Sequence, residues 1–300
     1  NGFGWKVLGA VLVELGRYQD ALEPMQRAAG LLPMDAEAHS NLGNALKELG
    51  RYVESEASCR RALEISPDNA RALGNLGNAL KEQWRLPEAE TCYRRALEIN
   101  PLMAEAHNNL GVVANNQYSP AEVEACFRRA LEINPGYPEA HSNLGNTLKD
   151  MGRLQQAEVC YRRALEINPD FALAHNNLGN TLKDLDRLEE AEACYRRALE
   201  AKPDCITAYS NLLYFYAFTR TISPVDECTL ASGWEAAMLS ESERNAARRR
   251  ALSLENTFAN PPLSGRRLRL GVVSAELQQH SVAEFFEPLL VHFNRDRLHI

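Results

Sequence analysis

Six asparagines, Asn41, Asn75, Asn109, Asn143, Asn177 and Asn211, follow one another at intervals of 34 residues. A carboxamide donates and accepts hydrogen bonds at once. A column of them therefore suits the N–H and C=O groups of an extended polypeptide, whatever its side chains. An extended chain rises about 3.3 Å per residue, and packed helices lie roughly 8–10 Å apart, so one amide per helical unit would meet about every third residue. A second, partial column is Asn44, Asn78, Asn146 and Asn180, interrupted by Val112; Val7 stands where the first column would begin. Asparagine is a mediocre helix former, so propensity does not select it here. Copying of one ancestral unit is the other account of these columns.

Histidine and cysteine recur with the same period. His39, His107, His141 and His175 share a register with Trp5 and Tyr209, and packing is the expectation for them rather than metal ligation. Cys92, Cys126, Cys160 and Cys194 are also 34 residues apart. Stacked units would hold them too far apart for a disulfide, which needs Cα atoms within about 7 Å. No C-x-x-C pair or zinc-like His/Cys spacing is present, and reduced, buried thiols in a cytoplasmic protein are expected. Arg162–Glu166 recurs with variations as Arg-Arg-Ala-Leu-Glu. The spacing predicts an Arg162–Glu166 pair on a solvated face, worth tenths of a kcal/mol.

The elements that must carry these columns are helices. Prolines 33, 67, 101, 135, 169 and 203 keep the 34-residue step, as do Leu-Gly pairs from Leu8-Gly9 to Leu178-Gly179 and alanines from Ala28 to Ala198. Within 138–171, Ala140, Leu144 and Leu148 keep a helical spacing, and so do Ala157, Tyr161, Ala164 and Leu165. A glycine inside a helix costs about 1 kcal/mol against alanine; repeating it six times predicts a close approach of the paired helix. Each proline ends a helix, because its ring cannot continue one.

This Leu-Gly…Ala…Pro pattern resembles the tetratricopeptide repeat, a helix–turn–helix unit. Six repeats are expected over 2–205. The resemblance implies an all-α, right-handed superhelix whose first helices line a concave groove. A divergent seventh repeat with transition helices is expected at 206–239, where Tyr209, Asn211 and Leu212 fit and Leu213 replaces the glycine. Ser223-Pro224 reads as a helix start. A helix and linker follow at 240–265, from the capping-box pattern Ser240-x-x-Glu243 to the segment 260–265. The triple arginine 248–250 reads as a solvated face.

The period changes at 266–300. Residues 268–274 read as a buried strand, 275–280 as a loop, 282–293 as an amphipathic helix kinked at Pro288, and 298–300 as the next strand. Strand, loop, helix, strand opens an α/β sheet. His280 would lie at the strand's C-terminal side beside a helix start, where ligands bind such sheets; a structural loop histidine is the plainer reading.

The run 267–274, then His280-Ser281-Val282-Ala283, then Glu287-Pro288-Leu289-Leu290, resembles the opening of the catalytic region of protein O-GlcNAc transferases, including Spindly-like and bacterial relatives. The resemblance implies the start of a GT-B-type α/β domain. It implies transfer of N-acetylglucosamine from UDP-GlcNAc to Ser/Thr hydroxyls without a required metal, and His280 in the active site as a catalytic base or a positioning group. UDP-GlcNAc is then a donor substrate, and the chain is expected to bind no cofactor of its own. The family's UDP-binding half would lie past residue 300, so these residues alone are expected to be inactive.

Composition narrows the partners. Thirty-three basic against 40 acidic residues leave a net charge of −7, which speaks against nucleic acid. No run of about 18 apolar residues suggests a membrane span, and no leader is read in 4–15; opening on Asn1 rather than Met, the chain is expected to lack its true N-terminus. Protein or peptide acceptors in the groove are the expected partners, with oligomerisation through the repeats a further possibility. The alternative is a non-enzymatic scaffold or co-chaperone. Some tetratricopeptide proteins grip a C-terminal carboxylate with Lys, Asn, Asn, Lys and Arg; Lys6, Asn41 and Arg71 match in part, whereas Ala10 and Asn75 depart.

Overall fold

A computed structural model describes residues 1–114, 119–219, 224–238, 268–269 and 298–299. Two compact units are distinguished, Asn1–Pro169 and Asp170–Ile300.

The first unit contains five helical hairpins. They are α1 (Gly2–Glu14) with α2 (Tyr18–Leu31), α3 (Ala36–Glu48) with α4 (Tyr52–Ile65), α5 (Ala70–Glu82) with α6 (Leu86–Ile99), α7 (Ala104–Ala114) with α8 (Pro120–Ile133), and α9 (Pro138–Asp150) with α10 (Leu154–Ile167). Within this unit, each second helix from α2 to α8 packs on both its own partner and the first helix of the next hairpin. The second unit holds α11 (Ala172–Asp184) with α12 (Leu188–Ala201), then α13 (Ile206–Thr219) with α14 (Pro224–Met238). It also holds two short strands, β1 (Leu268–Arg269) and β2 (Leu298–His299), paired in parallel with Leu268 opposite Leu298.

Sequence fixes the turns. Where a first helix ends, the backbone goes left-handed at Gly16, Gly50 and Gly152, with φ of 70°, 72° and 73°. The next amide then closes back on the helix, as in Arg51 N–H to the Leu46 carbonyl at 2.9 Å. Trp84 and Asp186 adopt the same conformation with φ of 60°, although a Cβ makes it unfavourable. Where a second helix ends, the residue before each proline is pushed towards the extended region, as at Asn100 and Asn134. Asp35 and Asn69 then cap α3 and α5 through their side chains.

The helical glycines do what the repetition predicted. A Cβ on Gly77 would lie 2.6 Å from the Tyr93 ring, on Gly111 2.8 Å from Phe127, and on Gly145 2.7 Å from Tyr161. Gly179 and Tyr195 repeat the arrangement at 2.7 Å. The ring of the second helix lies against the backbone of the first, and fully buried alanines such as Ala62, Ala96, Ala130 and Ala164 complete the hairpin cores. In the α13–α14 pair the roles reverse: Gly233 is on the second helix, and a Cβ there would lie 2.7 Å from Tyr209 Oη.

The surface ion pairs differ from the expected one. Arg162 reaches back to Glu158 at 2.8 Å, and Arg163 meets Glu166 at 2.7 Å. Helical side chains lean towards the N-terminus, and an acid preceding its base by four is the favourable order. Among the described residues no helix is long and apolar enough to cross a membrane.

Candidate functional site

Polar side chains of the first helices reach across to neighbouring hairpins. Lys6 reaches Asp35 and Glu37 of the next hairpin at 2.9 and 2.8 Å. Asn78 donates to Glu105 Oε1 at 2.7 Å, and Lys47 Nζ stands 3.9 Å from the same oxygen. In the second unit Lys183 lies over the Tyr214 ring at 5.3 Å.

The six column asparagines occupy equivalent helical positions, yet most use part of their amide to join neighbouring hairpins. Asn143 Nδ2 donates to Asn108 Oδ1 at 3.0 Å, and Asn211 repeats the bond onto Asn176 at 2.9 Å. Asn75 Nδ2 reaches the Ser40 backbone carbonyl at 3.3 Å, because serine is too short to meet it; the Ser40 hydroxyl is left buried without a partner. Asn109 Nδ2 donates to Asn78 Oδ1 at 2.8 Å. Asn177 accepts from Asn176 at 3.3 Å. Asn41 is half-buried and makes no side-chain hydrogen bond among the described residues. Asn75 and Asn109 are buried, whereas Asn41, Asn143, Asn177 and Asn211 are half-buried and reach solvent. Asn143 and Asn211 each keep a second N–H and a carbonyl oxygen beyond the bond that holds their hairpin.

In the third to fifth hairpins these bonds form one chain. Asn143 donates to Asn108, Asn108 to Asn109 at 3.1 Å, Asn109 to Asn78, and Asn78 to the Glu105 carboxylate. The second asparagine column has a separate task. Tyr93, Tyr161 and Tyr195 hydroxyls donate to Asn78, Asn146 and Asn180 at 2.7, 2.7 and 2.8 Å, within their own hairpins. The interruption at Val112 coincides with Phe127, which has no hydroxyl to offer. Reading each repeat at an offset of 15 residues would have exposed this pairing.

The remaining motifs are structural. His39, His107 and His141 bond the Pro33, Pro101 and Pro135 carbonyls at 3.3, 3.1 and 2.9 Å. Burial lowers the His107 pKa. Among the described residues no cluster of His, Cys, Asp and Glu could hold a metal ion. The six cysteines from Cys59 to Cys205 form no disulfide, and burial pushes the Cys59 and Cys92 thiols up to about 12 and about 11. The lysine of the carboxylate-grip pattern is already occupied: bonds to Glu37 and Asp35 raise the Lys6 pKa and keep it charged, with both carboxylates as its partners, while Asn75 is buried. His280, the arginines 248–250 and the segments 240–265 and 270–297 lie outside the described residues.

Family models for the tetratricopeptide repeat match 138–171 with 172–205, 35–102 and 75–138, and one for the TPR repeat matches 9–50. Together they run from 9 to 205, about two thirds of the chain. No curated protein matches it. Among solved structures, PilF of Pseudomonas aeruginosa is similar with a TM-score of 0.60 and 22% identity, over 69% of this chain and 94% of that one. TTC0263, a thermophilic TPR protein of Thermus thermophilus, gives 0.52 and 26% over 61% and 100%. Cut9–Hcn1 of the APC/C gives 0.65 and 13% over 78% and 49%.

Proposed function

Because this chain belongs to the tetratricopeptide-repeat family, we propose that the first helices of each unit bind extended polypeptide through main-chain hydrogen bonds. The observation that carries this reading is the state of Asn143 and Asn211. Each is anchored by one N–H to the preceding hairpin and keeps a second N–H and a carbonyl at a half-buried position. Anchoring removes rotamer freedom before a ligand arrives, so less ordering entropy opposes binding. The contacts are made to backbone, so affinity should tolerate many peptide sequences.

The test is peptide binding by calorimetry with Asn143, Asn177 and Asn211 replaced by alanine. At least about a tenfold loss of affinity for unrelated peptides is expected if two or three hydrogen bonds are removed, with helicity retained. Unchanged affinity across the panel discards the reading.

A second reading is supported by the residues at 267–290 and by the parallel pairing of Leu268–Arg269 with Leu298–His299. In it the repeats select protein acceptors for a glycosyltransferase module of the O-GlcNAc transferase type. His280 acts there as base or positioning group, and UDP-GlcNAc is the donor. Residues 1–300 would supply only the first elements of that module. Sugar transfer from UDP-GlcNAc by a longer form of the protein, abolished by His280→Ala and absent from residues 1–300 alone, is the expected result. A longer form that transfers no sugar leaves only the binding function.

A further inference from the structure

Two neighbouring junctions between first helices differ in what they leave unbonded. Where α5 meets α7, Asn78 donates to the Glu105 carboxylate, accepts from Asn109 and also accepts from the Tyr93 hydroxyl. Where α3 meets α5, the residues 34 positions earlier are Asn44, Arg71 and Asn75, with Cys59 in the place of Tyr93. Asn75 still crosses the junction, onto the Ser40 carbonyl at 3.3 Å. Among the described residues, however, half-buried Asn44 makes no side-chain hydrogen bond and exposed Arg71 has no ion pair. The Ser40 hydroxyl is 1% exposed and has no partner. A buried hydroxyl in that state is costly and points to an occupant. Arg71 stands in the first turn of α5, where α3, α7 and α9 carry Glu37, Glu105 and Glu139. A cation there opposes the helix dipole. The junction thus has a further donor where the next one has its own carboxylate.

We propose, on the reading that the first helices of this unit bind extended polypeptide, that the junction seats the side-chain carboxylate of an aspartate or glutamate in the bound chain. That carboxylate takes the place Glu105 fills one junction on. The Ser40 O–H, the Asn44 amide, the second N–H of Asn75 and the Arg71 fork can all donate, and a carboxylate accepts from several donors, bidentately from arginine. One arginine balances one negative charge, which suits a carboxylate better than a phosphoester of nearly two. A chain end is the poorer occupant. The column amides continue on both sides, at Asn41 and Asn109, and the lysine that a C-terminal grip needs is held by Asp35 and Glu37. Main-chain bonds alone let a peptide slide by whole residues; one charged anchor fixes its register.

Calorimetry tests this with an extended serine–alanine peptide, amidated at its C-terminus and carrying one central glutamate. It is compared with its glutamine and phosphoserine counterparts and with the glutamine form ending in a free carboxylate. The glutamate peptide is expected to bind at least about tenfold more tightly than each of the others. Arg71→Glu should erase that difference, and it should fold, because it restores the acid favoured in a first turn. Asn44→Val, the residue found at 112, should reduce the difference by less. Arg129→Glu on α8, an equal change of net charge on a second helix, should preserve it. Equal binding of the glutamate and glutamine peptides, a preference that survives Arg71→Glu, or tighter binding of the phosphoserine or free-carboxylate peptide overturns the proposal and leaves main-chain binding standing. Binding of none of the peptides removes both.

Discussion

The third and fourth hairpins solve one packing problem with different chemistry. In both, an aromatic ring on the second helix lies against a glycine of the first. In the third hairpin the ring is Tyr93, whose hydroxyl is satisfied by buried Asn78. In the fourth the ring is Phe127, and Val112 replaces the asparagine. Polar group and polar partner disappear together. In these two hairpins the shape of the ring is therefore the common requirement, and the hydroxyl–amide bond is an addition present as a pair or absent as a pair, because a lone buried polar group is destabilising.

The strongest disruption of this comparison is Asn78→Val. It turns the third hairpin halfway into the fourth and orphans two donors, the Tyr93 hydroxyl and the Asn109 amide. A loss of about 3 kcal/mol is expected in urea unfolding. Adding Tyr93→Phe should recover part of it, and a double-mutant cycle isolates the coupling. Next in size is Gly145→Ala. The new Cβ would meet the Tyr161 ring at 2.7 Å, and a loss of about 1–3 kcal/mol is expected despite alanine's better helix propensity. Gly30→Ala in α2, with nothing within 4 Å, is the control and should gain about 0.8 kcal/mol.

Acid should act on the junctions between hairpins more than on the aromatic pairs. Burial alone would raise the pKa values of Glu56 and Glu124. Bonds from Gln83, Arg60 and Arg85 to Glu56, and from Arg128 and Arg153 to Glu124, outweigh it and hold both carboxyls low. A carboxyl whose folded pKa is depressed stabilises the fold above its unfolded value and loses that contribution as pH falls through the folded one. The melting temperature should accordingly drop in the acid carboxylate range, and Glu56→Gln should flatten that drop while lowering stability at neutral pH. A gain comparable to that of Gly30→Ala, about 1 kcal/mol, is expected for Trp84→Gly from relieving a left-handed backbone, read from the same urea curves.

Much of this is legible in the sequence. The 34-residue step places the helices, and six helical glycines imply close approach, which Tyr161 on Gly145 shows. The Arg162–Glu166 expectation fails because spacing alone does not carry direction along a helix. The column asparagines read as binding groups, and their second role is hidden at that level. That role depends on which neighbour lies within reach, Asn108 for Asn143 but only a backbone carbonyl for Asn75. Residue types give capacity for hydrogen bonding, and only packing gives the partner.

The run from Asn143 through Asn108, Asn109 and Asn78 to Glu105 has a sense of direction. A carboxylate anion has no proton to give, so Glu105 compels Asn78 to turn its NH₂ outward, which leaves the Asn78 oxygen for Asn109, and so on back along the row. Rotating any single amide by half a turn would set oxygen against oxygen or NH₂ against NH₂. The four side chains are thus locked into one common orientation by a single charge at one end, and aligned bonds of this kind reinforce one another.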